Sequence, residues 1–115
     1  MKEIAVVILN WNGIELLKKF IPNTVNYSKE ANIYVIDNFS SDGSVEFLKT
    51  NHPNINVIEL DKNYGFAEGY NRGLKNVNEE IYCLLNSDIK VAENWLEPII
   101  KEFNNINTSI AQPII

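Results

Sequence analysis

The sequence predicts an α/β domain, a mostly parallel sheet with helices on both faces in a Rossmann-like three-layer sandwich. Three observations predict it. Short apolar runs of strand length alternate with segments whose apolar residues recur at helical spacing. Each strand-like run stops at a cluster of Asn and Asp residues. No repeat, linker or low-complexity segment interrupts the alternation across 115 residues, a length that suits one domain.

Ile4-Ala5-Val6-Val7-Ile8-Leu9 reads as a first buried strand, rich in β-branched residues, and runs into Asn10-Trp11-Asn12-Gly13. Leu16, Leu17, Phe20 and Ile21 then follow helical spacing, and Pro22 is expected to end or kink that helix. Ile33-Tyr34-Val35-Ile36 is a second strand, closing on Asp37-Asn38. The stretch 40–44 (Ser-Ser-Asp-Gly-Ser) is dense in N-cap residues and leads to Val45, Phe47 and Leu48 on a short helix. A third strand, 56–60, stops at Asp61-Lys62-Asn63-Tyr64-Gly65, and 66–75 looks helical despite its glycines. Ile81 to Leu85 is a fourth strand. Trp95, Leu96, Ile99, Ile100 and Phe103 mark a last helix, with Pro98 near its start or bending it. Ile110 to Ile115 reads as the opening of a fifth strand, so the chain is expected to be the truncated first part of a longer protein.

Composition narrows the function classes. A net charge of −5 without clustered Lys and Arg argues against a nucleic-acid surface. The single cysteine, Cys83, sits in an apolar run and reads as a small core residue. The run from Ile4 to Leu9 is too short to span a membrane and lacks signal-peptide flanks, so a cytoplasmic location is the default, peripheral to a membrane in a longer protein. His52, beside Pro53, reads as surface. Neither a G-x-G-x-x-G after the first strand nor a G-x-x-x-x-G-K-[ST] occurs.

The chemistry is expected where Leu84-Leu85 gives way to Asn86-Ser87-Asp88. Ligands of open α/β sheets sit beyond the carboxyl ends of strands. A carboxylate there among short polar residues suits a hard divalent cation that fills its other positions with phosphate and water; the same residues also form ordinary turns. In a parallel sheet the ends at 10–12, 37–38, 61–63 and 86–88 share one edge and make an acidic, hydrogen-bonding rim. Gly65, Gly69 and Gly73 are four apart and form a bare helix stripe. Either a ligand or the sheet must approach that backbone closely, and the spacing alone leaves both open.

Four ordered stretches carry a family resemblance: Ile8-Leu9-Asn10-Trp11-Asn12-Gly13, residues 35–44 around Asp37-Asn38-Phe39-Ser40, residues 63–73 from Asn63-Tyr64-Gly65-Phe66 to Gly73, and Leu84 to Asp88. Together they resemble family 2 glycosyltransferases, nearest the rhamnosyltransferase-like members, over nearly the whole chain. The resemblance implies a GT-A fold, a UDP- or dTDP-linked sugar donor, a divalent metal (Mn²⁺ or Mg²⁺), a glycan or lipid-linked acceptor in the full enzyme, and inverting transfer. It implies that Asn10, Trp11 and Asn12 line the nucleotide pocket. It also implies that Asp37 bonds the pyrimidine base, that Asn38 and Asp42 shape the same loop, and that Asn63 and Gly65 belong to the donor site. Arg72 is implied to lie near the base or phosphates. Asn86-Ser87-Asp88 stands where the family has D-x-D, with Asp88 on the metal and Asn86 facing the ribose or the metal's water shell.

Two departures matter. Asn86 keeps an acceptor oxygen but loses a charge, so metal binding is expected to survive, weakened. Family members run to more than twice this length, and their second half supplies the acceptor site and the catalytic base, so this chain is expected to hold residues 1–115 of a donor-binding part and to be inactive alone. The other reading is a non-catalytic nucleotide-binding or interaction module with the same fold. An unpaired sheet edge left by the missing half invites self-association.

Overall fold

The structure, a computed structural model, describes residues 3–103. β1 (Ile4–Asn10) is buried along almost its whole length, which is why it is continuously apolar rather than alternating. It lies at the centre of a four-stranded parallel sheet. β2 (Asn32–Asp37) pairs on one side, in the register Ala5↔Asn32 through Asn10↔Asp37. β4 (Ile81–Leu84) pairs on the other, Ile4↔Ile81 through Val7↔Leu84. β3 (Asn56–Glu59) extends beyond β2, giving the order β3-β2-β1-β4. The order reverses between β1 and β4, so a topological switch point opens at their carboxyl ends.

The two sheet faces are covered unequally. Ile4, Val6 and Ile8 of β1, with Val35, Cys83 and Leu85, pack under α1 (Ile14–Asn26), α2 (Ser44–Asn51) and α4 (Glu97–Phe103). Ala5, Val7 and Ile36 pack under α3 (Phe66–Leu74) through Tyr70 and Leu74. This is the expected sandwich with helices on both faces. The expected strand over 110–115 lies outside the described residues. Burial pushes the Cys83 thiol up to about 11, so it stays protonated near neutrality and serves as core, as its neighbours indicate.

α1 runs through Pro22, which excludes one of the two expected outcomes, an end at that residue. Pro22 lies on the exposed face of α1, as does Lys18, whose carbonyl loses its helical donor, so water can satisfy the freed group. The buried face, Leu17, Ile21 and Thr24, carries the helix across the break. Asn23 pins α1 to the chain after β4: its amide donates to the Val91 carbonyl and accepts from the Val91 N–H, at 3.1 and 2.7 Å. Pro98 falls at the second residue of α4, a position that needs no N–H partner.

The glycine stripe of α3 is a packing device. A Cβ on Gly73 would run into three side-chain carbons of the fully buried Ile36, two of them at 2.5 and 2.6 Å, and one on Gly69 would meet Asn38 Nδ2 at 3.0 Å. Gly73→Ala gains about 1 kcal/mol in helix propensity but overpacks a filled site at about 1–3 kcal/mol. A net loss of up to about 2 kcal/mol is expected in urea unfolding. Gly73→Ser, similar in size and weaker in propensity, should lose more; a stability gain in either variant would refute the tight fit.

Candidate functional site

The site is built from the four loops at the carboxyl edge. Three of them are tied together by side chains. Asp37 is 2% exposed, and both of its oxygens are used. Oδ1 accepts from Asn10 Nδ2 at 2.9 Å and from Ser40 Oγ at 2.7 Å, and Oδ2 accepts from the Ser40 N–H at 2.9 Å. Ser40 Oγ in turn accepts from the Asn12 N–H at 2.8 Å, and Asn12 Oδ1 accepts from the Ser41 N–H at 2.7 Å. These bonds hold Asn12 and Phe39 in left-handed backbone, at φ 48° and 66°, conformations that non-glycine residues rarely adopt. Asn10 Oδ1 is the one buried side-chain acceptor without a partner among the described residues, and a Cβ on Gly13 would come within 2.6 Å of it.

Asn38, 3% exposed, ties in the third loop. Its Oδ1 accepts from the Tyr64 N–H and its Nδ2 donates to the Gly65 carbonyl, both at 2.9 Å, while its own N–H donates to the Asn10 carbonyl. Gly65, at φ 79° and ψ −172°, adopts backbone open essentially to glycine alone, and nothing lies within 4 Å of where its Cβ would be.

Asp42 joins two helices. Oδ2 accepts from the first amide of α1, Ile14 N–H, at 2.9 Å, and Oδ1 accepts from Ser44 at the start of α2. Neither helix has a capping side chain at its own N-cap, where Gly13 and Gly43 stand, so one carboxylate from the intervening loop serves both. Burial pushes the Asp42 carboxyl up, but the hydrogen bonds from Ser44 and Ile14 outweigh it and leave it below the ordinary carboxylate value. A depressed folded pKa adds stability that is present above the unfolded value and lost as pH falls through the folded one. The stability advantage of wild type over Asp42→Asn is therefore expected to be full at pH 6 and to shrink below about pH 4. Urea midpoints across that range measure it, and a constant difference would contradict the assignment.

The fourth loop differs. Asn86, Ser87 and Asp88 make no side-chain hydrogen bond or ion pair among the described residues, and Asn86 and Asp88 are exposed. They line a cleft of about 460 Å³ at the switch point. Its other walls are Trp11 and Leu16 from the β1–α1 side, Asn38, Asn63 and Gly65, and Phe66 with Tyr70 from α3. Tyr70 is anchored by accepting the Leu9 N–H at 3.3 Å, and Phe66 meets its ring edge-on. Trp11 and Phe66 are 57% and 66% exposed, large apolar surface left open at a polar cleft.

Among the expected site residues, Trp11, Asn38, Asn63, Gly65, Asn86, Ser87 and Asp88 therefore meet at one cleft. Asn10, Asn12, Asp37 and Asp42 lie behind it with their side chains engaged in loop bonds. Arg72 does not line it: its Nε donates to Glu68 at 2.7 Å and its guanidinium lies 4.0 Å from the Tyr64 ring centre. Phe66, Tyr70, Leu9 and Leu16 join the walls unforeseen, because apolar residues in helical or strand patterns read as core. Among the described residues no group of three His, Cys, Asp or Glu could hold a metal by itself, and Asp88 is the only carboxylate in the cleft. A second cavity of about 370 Å³ lies at the opposite edge, lined by Lys29, Asn32, His52 and Ile55 among others. His52 is partly exposed there, its ring packed edge-on against Phe47. That cavity holds no carboxylate, and its Ser28 hydroxyl is taken by the Trp95 indole.

A family model described as Glycosyl transferase family 2 matches residues 5–115. The chain is 28% identical over 97 residues to polypeptide N-acetylgalactosaminyltransferase 16 of Mus musculus, covering 84% of this chain and 17% of that protein. Among solved structures it matches a mannosyltransferase of Pyrobaculum calidifontis in complex with GDP-Man and Mn²⁺ at TM-score 0.75 and 21% identity, over 87% of this chain and 32% of the other. It also matches residues 1–349 of S. aureus TarS in complex with UDP-GlcNAc at TM-score 0.75 and 18% identity, over 89% and 31%. The structural matches establish a GT-A fold. The chain spans about a sixth of the length of the mouse relative and about a third of each solved neighbour.

Proposed function

The chain belongs to glycosyl transferase family 2, and from that premise we propose that it forms the donor-binding part of an enzyme that transfers a sugar from a nucleotide-diphosphate-sugar to an acceptor hydroxyl with inversion. One observation carries the reading: Asn86, Ser87 and Asp88, strand-end side chains with no hydrogen-bond or ion-pair partner among the described residues, line the switch-point cleft.

The donor set fits a hard divalent cation, Mn²⁺ or Mg²⁺. Asp88 offers one carboxylate, with Asn86 and Ser87 oxygens beside it, and such ions share their remaining positions with phosphate and water. A bound cation there supplies positive charge against the departing diphosphate. That charge is needed, because among the described residues no Lys or Arg lines the cleft. The chain's own residues do the rest. Trp11 and Phe66 offer flat apolar faces for a base or a sugar ring and exclude water around it. Asp37, Asn38 and Ser40 fix the loops in advance, so binding spends little on ordering them. The general base that takes the acceptor proton is assigned to protein outside the described residues.

Calorimetry with UDP and dTDP, with and without Mn²⁺, tests the reading, with Trp fluorescence followed in parallel. Metal-dependent binding is expected, together with a change in Trp11 emission that Trp11→Phe removes. A folded protein that binds neither nucleotide in Mn²⁺ would overturn it. Nucleotide binding without sugar transfer in the full-length enzyme would favour the non-catalytic module instead.

A further inference from the structure

One charged group near the cleft is still without a role. Arg72 lies half-exposed on the outer side of α3, its Nε donating to Glu68 one turn back and its guanidinium stacked on Tyr64. The Tyr64 hydroxyl donates to Asp61, and Lys62 Nζ sits 5.1 Å from the same ring. The charged neighbours of Arg72 are thus Glu68 on its own helix and Asp61 and Lys62 on the loop, with the Tyr64 ring between them. Tyr64 belongs to the loop whose N–H groups make two telling bonds: Tyr64 N–H to Asn38 Oδ1, and Gly65 N–H to Asn63 Oδ1 at 2.8 Å. Asn63, Gly65 and Phe66 are the cleft wall that this loop supplies.

We propose that Arg72 is a positioning residue for the cleft: held by Glu68 and stacked on Tyr64, it fixes the Asp61–Gly65 loop as a wall and does not itself touch the ligand. The loop has no secondary structure and its side chains are mostly exposed, so beyond its two backbone bonds to the buried Asn38 few contacts order it. A cation on an aromatic face is a contact that survives such exposure. Arg72 reaches the site only through Tyr64. The consequence for ligand affinity rests on the donor-site reading above; the consequence for the loop does not.

The test uses Arg72→Ala, Arg72→Lys, Tyr64→Leu and the Arg72→Ala/Tyr64→Leu double variant. Amide exchange of the unliganded protein is read at Tyr64 and Gly65. Affinity for UMP and UDP with Mn²⁺ is measured by calorimetry. Arg72→Ala is expected to speed exchange at both amides and to weaken both nucleotides by the same factor, about two- to fivefold. Arg72→Lys recovers most of the loss, and in the Tyr64→Leu background Arg72→Ala has no further effect. Unchanged exchange overturns the proposal, whether or not nucleotide binds. A loss that grows from UMP to UDP and persists without Tyr64 overturns it in favour of direct phosphate contact. If wild type binds neither nucleotide, the donor-site reading falls, while exchange still decides the loop assignment.

Discussion

Replacing Asp37 with alanine is expected to cost about 3 kcal/mol of stability, the largest loss of any single polar substitution in the protein. The carboxylate is buried and receives three hydrogen bonds, from Asn10 Nδ2, Ser40 N–H and Ser40 Oγ. Removing it leaves the Ser40 N–H without an acceptor and the Asn10 amide with only its longer 3.3 Å bond to Ser40 Oγ, in a buried site, and unmade buried bonds cost about 1–3 kcal/mol each. Asp37→Asn is not a neutral replacement. An ionised carboxylate is acceptor-only, whereas an amide must turn one NH₂ toward either Asn10 Nδ2 or the Ser40 N–H, and both are donors. The Asn variant should therefore retain only part of the stability. Urea unfolding of both variants measures this, and a loss below about 1 kcal/mol for Asp37→Ala would show that the loop bonds contribute little. Phe39 sharpens the test, since its left-handed backbone is held by the adjacent Asp37–Ser40 bond.

Asp88→Ala should do the opposite, leaving stability within about 0.5 kcal/mol of wild type and removing metal-dependent nucleotide binding. Asp88 is exposed and bonds to nothing among the described residues, so folding does not depend on it. If Asp88 is the cation's one carboxylate ligand in the cleft, its loss should weaken Mn²⁺-dependent UDP affinity by at least about 100-fold, because even outer-sphere partners are worth 10–100-fold. Calorimetry against Mn²⁺ concentration reads the effect directly. Retention of metal-dependent affinity in the variant would move the cation elsewhere, and a large stability loss would reveal a structural role instead.

The contrast between these carboxylates shows where sequence reading succeeds. β1, β2 and β4 were legible because buried parallel strands are unbroken apolar runs, and an alternating β/α order sends every strand end to one edge. Trp11, Asn63, Gly65 and Asn86 to Asp88 could thus be placed together without coordinates. Which carboxylates are spent on the fold and which stay free could not be read. The partners of Asp37, Asn38 and Asp42 lie up to 28 residues away, and no local pattern specifies such pairing. The glycines show the same limit. Spacing marked a bare stripe, but only the position of Ile36 shows that Gly73 faces the sheet, while Gly65 alone faces open space at the cleft. Pro22 left both outcomes open because tolerance of proline depends on which helix face meets water.

The position of β4 beside β1 has a consequence for how the protein is made. The β1–β2–β3 unit pairs neighbours in sequence, whereas the β1–β4 pair joins Ile4 to Ile81 across most of the chain. Closing that span is the most entropically demanding step of sheet formation. During synthesis, β1 must wait with one edge open until residue 84 has left the ribosome, and only then do the two sides of the cleft meet. Folding should therefore place β1–β2 contacts early and β4 docking late. Val35→Ala should slow refolding, whereas Cys83→Ala should chiefly speed unfolding. Stopped-flow chevrons of the two variants check this, and equal refolding rates would indicate that the sheet condenses in one step.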